Sequence, residues 1–172
     1  MRPLIQSHPT RRGAYQLTAE LWLPRPIDEV FEFFGDAGNL EAITPPWLHF
    51  QVLTPRPIAM RAGTLIDYRL RLHGLPLFWR TEIAVWEPPY RFVDQQLRGP
   101  YRLWHHLHTF EEQNGGTLCK DVVDYAFFGG PIVHSLLVKR DLEQIFTYRG
   151  ERMKMLLAQE AQGTHSLGFH AE

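Results

Sequence analysis

Cysteine is nearly missing from this 172-residue chain: Cys119 is the single one, so no intrachain disulfide can brace the fold. Its place in an alternating stretch marks it as a small buried hydrophobe, and no setting that would lower its pKa and make it a nucleophile is visible around it. An excess of positive charge is missing as well. The 18 Lys and Arg are balanced by 19 Asp and Glu, and they are scattered. Neutralising a phosphate backbone needs a basic stripe, so nucleic acid is not an expected partner. No apolar run approaches the roughly 20 residues that span a bilayer, and Met1 to Arg12 is polar, without the apolar core of a signal peptide. No stable membrane insertion is expected, and the chain reads as cytoplasmic. Nucleophile elbow, Walker loop and dinucleotide fingerprint are all absent, and the glycines fall at turns.

What is present fits one domain, expected over 14–160, with flexible termini at 1–13 and 161–172 where periodicity is lacking. That tail includes His165, Ser166, Gly168 and His170. Alternation from Ala14 to Leu23 predicts a strand, stopped by Pro24 and Pro26. A short helix follows, with Pro26 in its first turn, Asp28 and Glu29 at the positive end of the dipole, and Val30, Phe31, Phe33 and Phe34 on an apolar side. A second short helix is expected near 36–43. Six more strands are expected near 48–54, 63–73, 76–87, 90–98, 101–113 and 116–127, joined by turns short enough for an antiparallel meander. A helical period then runs over about 133–158. It gathers Val138, Leu142, Ile145, Phe146, Met153 and Leu156 in one stripe, with Arg140, Glu143, Gln144, Glu151 and Lys154 opposite. The fold class is therefore α+β: a curved antiparallel sheet of about seven strands around a long C-terminal helix, with two short helices between the first and second strands.

That order of elements, with Ile43-Thr44-Pro45-Pro46-Trp47, Gly63-Thr64-Leu65-Ile66-Asp67-Tyr68, Gly99-Pro100-Tyr101, the run Trp104 to Phe110 and Ile145 to Arg149, resembles the START-like (SRPBCC) superfamily with the helix-grip fold. Within it the chain looks like the polyketide cyclase/dehydrase-like ligand-binding branch. The resemblance implies a cavity between sheet and helix for a small, largely hydrophobic molecule such as a lipid, quinone or polyketide, with no obligatory cofactor and no assigned reaction. Monomer and homodimer are both compatible with it.

Strand alternation places Tyr68 with Ile66, Leu70 and Leu72 on one face, and Trp79 with Leu77, Thr81, Ile83 and Val85 on one face of the next strand. These are expected walls. On the strand from Tyr101, Trp104, His106, His108 and Phe110 share one face and Tyr101, Leu103, His105 and Leu107 the other. Alternation does not choose between them, and the resemblance turns the first set inward. Two imidazoles in an apolar space need polar partners, and Asp94 and Asp121 on the flanking strands are the candidates. Trp47, from the first motif, joins the set. Arg149 falls on the apolar stripe of the last helix, where it either meets a ligand's polar end or snorkels to solvent.

Three functions remain open: a carrier or sensor of a hydrophobic molecule, a cyclase/dehydrase-type enzyme using His106 or His108 as general acid/base, and an interaction module with a filled cavity. A His-x-His pair also suggests a metal, but no other His or Cys spacing supports one, and the helix offers an arginine where a third ligand is wanted. No metal is therefore expected.

Overall fold

The structure, a computed structural model, describes residues 1–163. Eight strands form one antiparallel sheet: β1 (Leu4–Ser7), β2 (Tyr15–Leu23), β3 (Gln51–Val52), β4 (Leu65–Leu72), β5 (Leu75–Glu87), β6 (Arg91–Arg98), β7 (Tyr101–Gln113) and β8 (Gly116–Phe127). Their spatial order is β1-β2-β8-β7-β6-β5-β4-β3. Two helices, α1 (Ile27–Gly35) and α2 (Asn39–Ile43), lie between β2 and β3. After β8 the chain turns helical at α3 (Gly130–Val133), widens to a π turn over His134–Val138, and continues as α4 (Lys139–Gly163).

Two hairpins are set by local chemistry. His73-Gly74 joins β4 to β5, and Asn114-Gly115 joins β7 to β8; all four residues have positive φ. A two-residue turn of that hand matches strand twist, and Asn-Gly is the sequence that adopts it most readily. Helix α1 buries Ile27, Val30 and Phe31, the i, i+3, i+4 face of its apolar pattern. Along the last helix, Val138, Leu142 and Phe146 pack on Leu17, Val123 and Tyr125, while Met153 and Leu157 pack on Leu21, Phe31 and Phe110. The helix therefore lies along the concave face of the sheet, as its stripe predicts.

The structure departs from the sequence reading in four places. The eighth strand, β1, comes from the segment expected to be flexible: Leu4–Ser7 pairs with Tyr15–Thr18, and Met1 packs between sheet and last helix. The expected strand at 48–54 shrinks to Gln51–Val52, because Pro46–Leu48 forms a 3-10 turn. A register shift between Ile83 and Val85 hands the inward place from Val85 to Trp86, which packs on Phe31 and Phe92. A second shift, between Tyr101 and Leu103, turns Tyr101 to the same side as Trp104. Residues His165, Ser166, Gly168 and His170 lie outside the described residues.

Candidate functional site

Between sheet and last helix is a cavity of about 190 Å³. Its wall from β4 and β5 is Ile66, Tyr68, Leu70, Leu72, Leu77, Trp79, Thr81 and Ile83, the inward set expected from alternation. Trp79 stands edge-on to Tyr101 and Trp104, at ring centroid distances of 5.6 and 5.3 Å, and its indole N–H donates to Thr81 Oγ1 at 2.9 Å. The indole's polar atom is thereby satisfied, and its rings are left as apolar wall. Phe33 and Phe34 of α1, Leu40 of α2, and Leu142, Ile145 and Phe146 of α4 complete the enclosure.

A polar cluster is set into this largely apolar wall. Antiparallel register sets Asp94 of β6 opposite His106, and His108 opposite Asp121 of β8. His106 Nε2 donates to Asp121 Oδ1 at 3.1 Å, and His108 Nε2 donates to Asp94 Oδ2 at 3.0 Å. The other nitrogens close the ring. His106 Nδ1 lies 3.3 Å from Asp94 Oδ2, and His108 Nδ1 lies 2.8 Å from Asp121 Oδ1. The latter contact is short but off the N–H axis, so it is a close approach without a hydrogen bond. The imidazoles lie close together, tilted by 36° with centroids 3.7 Å apart, and Phe92 stacks on His108 at 4.1 Å.

Burial and charge act against each other here. Burial resists ionisation of Asp121 and Asp94, yet the two histidines beside them hold both carboxyls below the usual range. Burial and the neighbouring His108 push His106 down, which favours its neutral form. His108 also resists charge through burial, but Asp121 and Asp94 outweigh this and raise it. Arg149, on the same cavity, adds its positive charge to those that favour ionised Asp94.

Of the residues singled out in the sequence, Tyr68, Trp79, Asp94, Trp104, His106, His108 and Arg149 line the cavity. Asp121 stands behind the histidines, outside the lining, as their partner. Two belong elsewhere. Phe110 is part of the core beside the cavity, wedged against Phe31 and Phe34. Trp47 is 52% exposed and packs edge-on to Tyr148 on the outer side of the last helix. Sequence reasoning did not single out Tyr101, whose inward turn depends on the register shift, or Phe33 and Phe34, whose helical apolar pattern was visible without its target.

Comparison with known families matches residues 23–146 to the model described as "Polyketide cyclase / dehydrase and lipid transport". Comparison with curated proteins yields no match. Among solved structures, protein Ms6760 from Mycobacterium smegmatis is similar at 17% identity over 91% of this chain and 97% of that one, with a TM-score of 0.65. Major latex-like protein 151 from Panax ginseng is similar at 11% identity over 83% and 97%, with a TM-score of 0.63. TTHA0849 from Thermus thermophilus is similar at 21% identity over 80% and 95%, with a TM-score of 0.55. These likenesses establish a common fold, and the family match covers most of the chain. The sheet that grips its last helix, the order of its elements and that match place the chain in the polyketide cyclase/dehydrase and lipid transport family of the START-like superfamily.

Proposed function

We propose that the protein binds a small, largely hydrophobic molecule in the cavity, with an oxygen-bearing end of that molecule turned toward Asp94, His106, His108 and Arg149. The observation that carries this reading is the cavity itself: a mostly apolar, aromatic-walled space with the Asp94, His106 and His108 cluster on its wall. Its size narrows the class. A dry cavity of roughly 150 Å³ admits benzene, so about 190 Å³ suits a compact body of one or two rings or a short chain. The family description, which pairs polyketide chemistry with lipid transport, agrees with an apolar cargo.

Trp79 and Trp104 supply the assay. Titration with naphthalene, 1-naphthol and short-chain quinones is expected to quench their fluorescence saturably, with the oxygenated compounds bound more tightly. Leu70→Trp, which fills the space from β4, is expected to abolish the signal while the protein stays folded. No saturable binding by any member of the series would sink the reading. Native mass spectrometry of protein purified from its own host identifies the physiological cargo.

A second reading, acid/base catalysis on a carbonyl compound, is favoured by one feature. The His108–Asp94 hydrogen bond lies on the cavity lining, where the pair can exchange a proton with a bound molecule. Turnover that disappears in His108→Gln while binding survives would establish it.

A further inference from the structure

We propose that Asp94, His106 and His108 form a binding site for one divalent transition-metal ion of the zinc type, open to the cavity, with Asp121 orienting both imidazoles from behind. The donor atoms of these three residues all lie within 4.8 Å of one another. Asp94 Oδ2 is 3.3 Å from His106 Nδ1 and 3.0 Å from His108 Nε2. Ligand atoms at the corners of a tetrahedron with bonds of about 2.0 Å are roughly 3.3 Å apart, so both distances from Asp94 already match such an edge, and a small ring rotation within the 4.8 Å limit closes the third. Asp94, which the sequence offers only as a polar partner of the histidines, becomes the third ligand through strand register, which sets it across from His106.

Proton counting favours the ion over the bare cluster. Four nitrogen–carboxylate contacts close the ring, and each neutral imidazole carries one N–H. Filling all four would need two imidazolium ions with centroids 3.7 Å apart in a buried site. With fewer protons, at least one nitrogen lone pair faces a carboxylate oxygen, as at His106 Nδ1 and Asp94 Oδ2. A metal on the Asp94 side removes the conflict: it takes the lone pairs of His106 Nδ1 and His108 Nε2, and leaves the N–H of His106 Nε2 to donate to Asp121 Oδ1 at 3.1 Å and His108 Nδ1, 2.8 Å from the same oxygen, to align on it by a small ring rotation. A carboxylate that receives the far N–H of each ligating histidine is the usual support of such centres. Asp94, with 19% of its side chain exposed against 6% for Asp121, is on the side a ligand can reach. Two carboxylates neutralise a divalent ion, which leaves Arg149 to attract an anionic oxygen as the next ligand. This deepens the cavity-binding reading by naming what meets the cargo's polar end, and it rests on that reading only for that last step.

The test is titration of EDTA-treated, chelator-free protein with Co²⁺, followed by visible absorption, then displacement by Zn²⁺ and elemental analysis. One ion per chain, with the intense bands of low-coordinate cobalt, is expected. Asp94→Asn and His108→Gln are expected to lose stoichiometric binding, and Asp121→Asn to weaken it roughly tenfold to a hundredfold. His73→Gln, at the surface His73–Asp141 pair, is expected to change nothing. No stoichiometric binding by the wild type, or binding that persists in both His106→Gln and His108→Gln, overturns the proposal. Should those variants not fold, paramagnetic broadening in the wild type decides: it must fall on the imidazole signals of His106 and His108, and broadening confined to other histidines overturns the site. Naphthalene and 1-naphthol titrations of the metal-free protein are scored separately, so failure of the metal site and failure of cavity binding give different results.

Discussion

Arg149 occupies a position where the last helix otherwise presents Leu142, Phe146 and Met153. Its guanidinium lies 5.5 Å from the Phe146 ring, and its Nε is buried with no hydrogen-bond partner among the described residues. A buried donor left unpaired costs about 1–3 kcal/mol, which a ligand oxygen would recover. Arg149→Met keeps helix propensity and suits the apolar stripe. Affinity for 1-naphthol or a quinone is therefore expected to fall about tenfold to a hundredfold, the loss of one charge-assisted hydrogen bond of roughly 1.5–3 kcal/mol. Affinity for naphthalene should hold, and equal loss for both would mean that the side chain acts through packing. At this scale the sequence was most readable where strand alternation decides, as for Ile66, Tyr68 and Trp79. It failed at Phe110 and Trp47 because alternation gives a side chain's face but not what covers it. Phe110 shares a face with His108, yet α1 lays Phe31 and Phe34 over it. Trp47 follows two prolines whose direction only the packing on Tyr148 reveals.

Two register shifts account for the elements whose faces the sequence misassigned. A residue's face inverts with a slip of one position, so an irregularity in β5 or β7 redirects everything beyond it. The one in β7 is pinned by Gln96, whose amide donates to Tyr101 O at 2.7 Å and accepts from Tyr101 N at 3.2 Å. Nothing in the one-dimensional pattern announces such a clamp. The helical end has its own local fixture, in the π turn that precedes α4. His134 stacks on Tyr15 with centroids 3.4 Å apart and hydrogen-bonds the Tyr125 hydroxyl at 2.8 Å. Burial, followed by the charge of Lys139, depresses its pKa below the ordinary 6.5. The folded state thus holds His134 neutral while the unfolded chain takes up a proton. Its contribution is complete above about pH 6.5 and declines as pH falls from there through the lower folded value. Thermal melts between pH 7.5 and 5 are expected to show a steeper loss of Tm for the wild type than for His134→Gln, with carboxylate effects common to both. Parallel curves would contradict this.

Across the whole molecule, the element order and the concave placement of the last helix were legible from periodicity and turn residues, since hydrophobic pattern and short connections leave few alternatives. The first strand was not, because four residues whose pairing supplies their stability need no periodicity of their own. The charged ring was legible only as a set of candidates, since the pairing that assembles it spans three strands. The sheet order carries a further consequence, for time. Strands β4 to β8 join neighbours in sequence, but β2 adds beside β8, with Tyr15 opposite Tyr125 and Leu23 opposite Thr117. During synthesis the opening strands therefore wait, with Leu17, Ala19 and Leu21 uncovered, until the meander has left the ribosome, at roughly 5–20 residues per second. Closure of so long a loop is late and slow. In refolding followed by pulsed hydrogen exchange, amides of β5 to β7 are expected to gain protection before those of β2, and simultaneous protection would show that the sheet forms in one step. A nascent chain halted before β8 would present β2 with one edge unpaired, which makes that interval the one in which this protein most needs a chaperone.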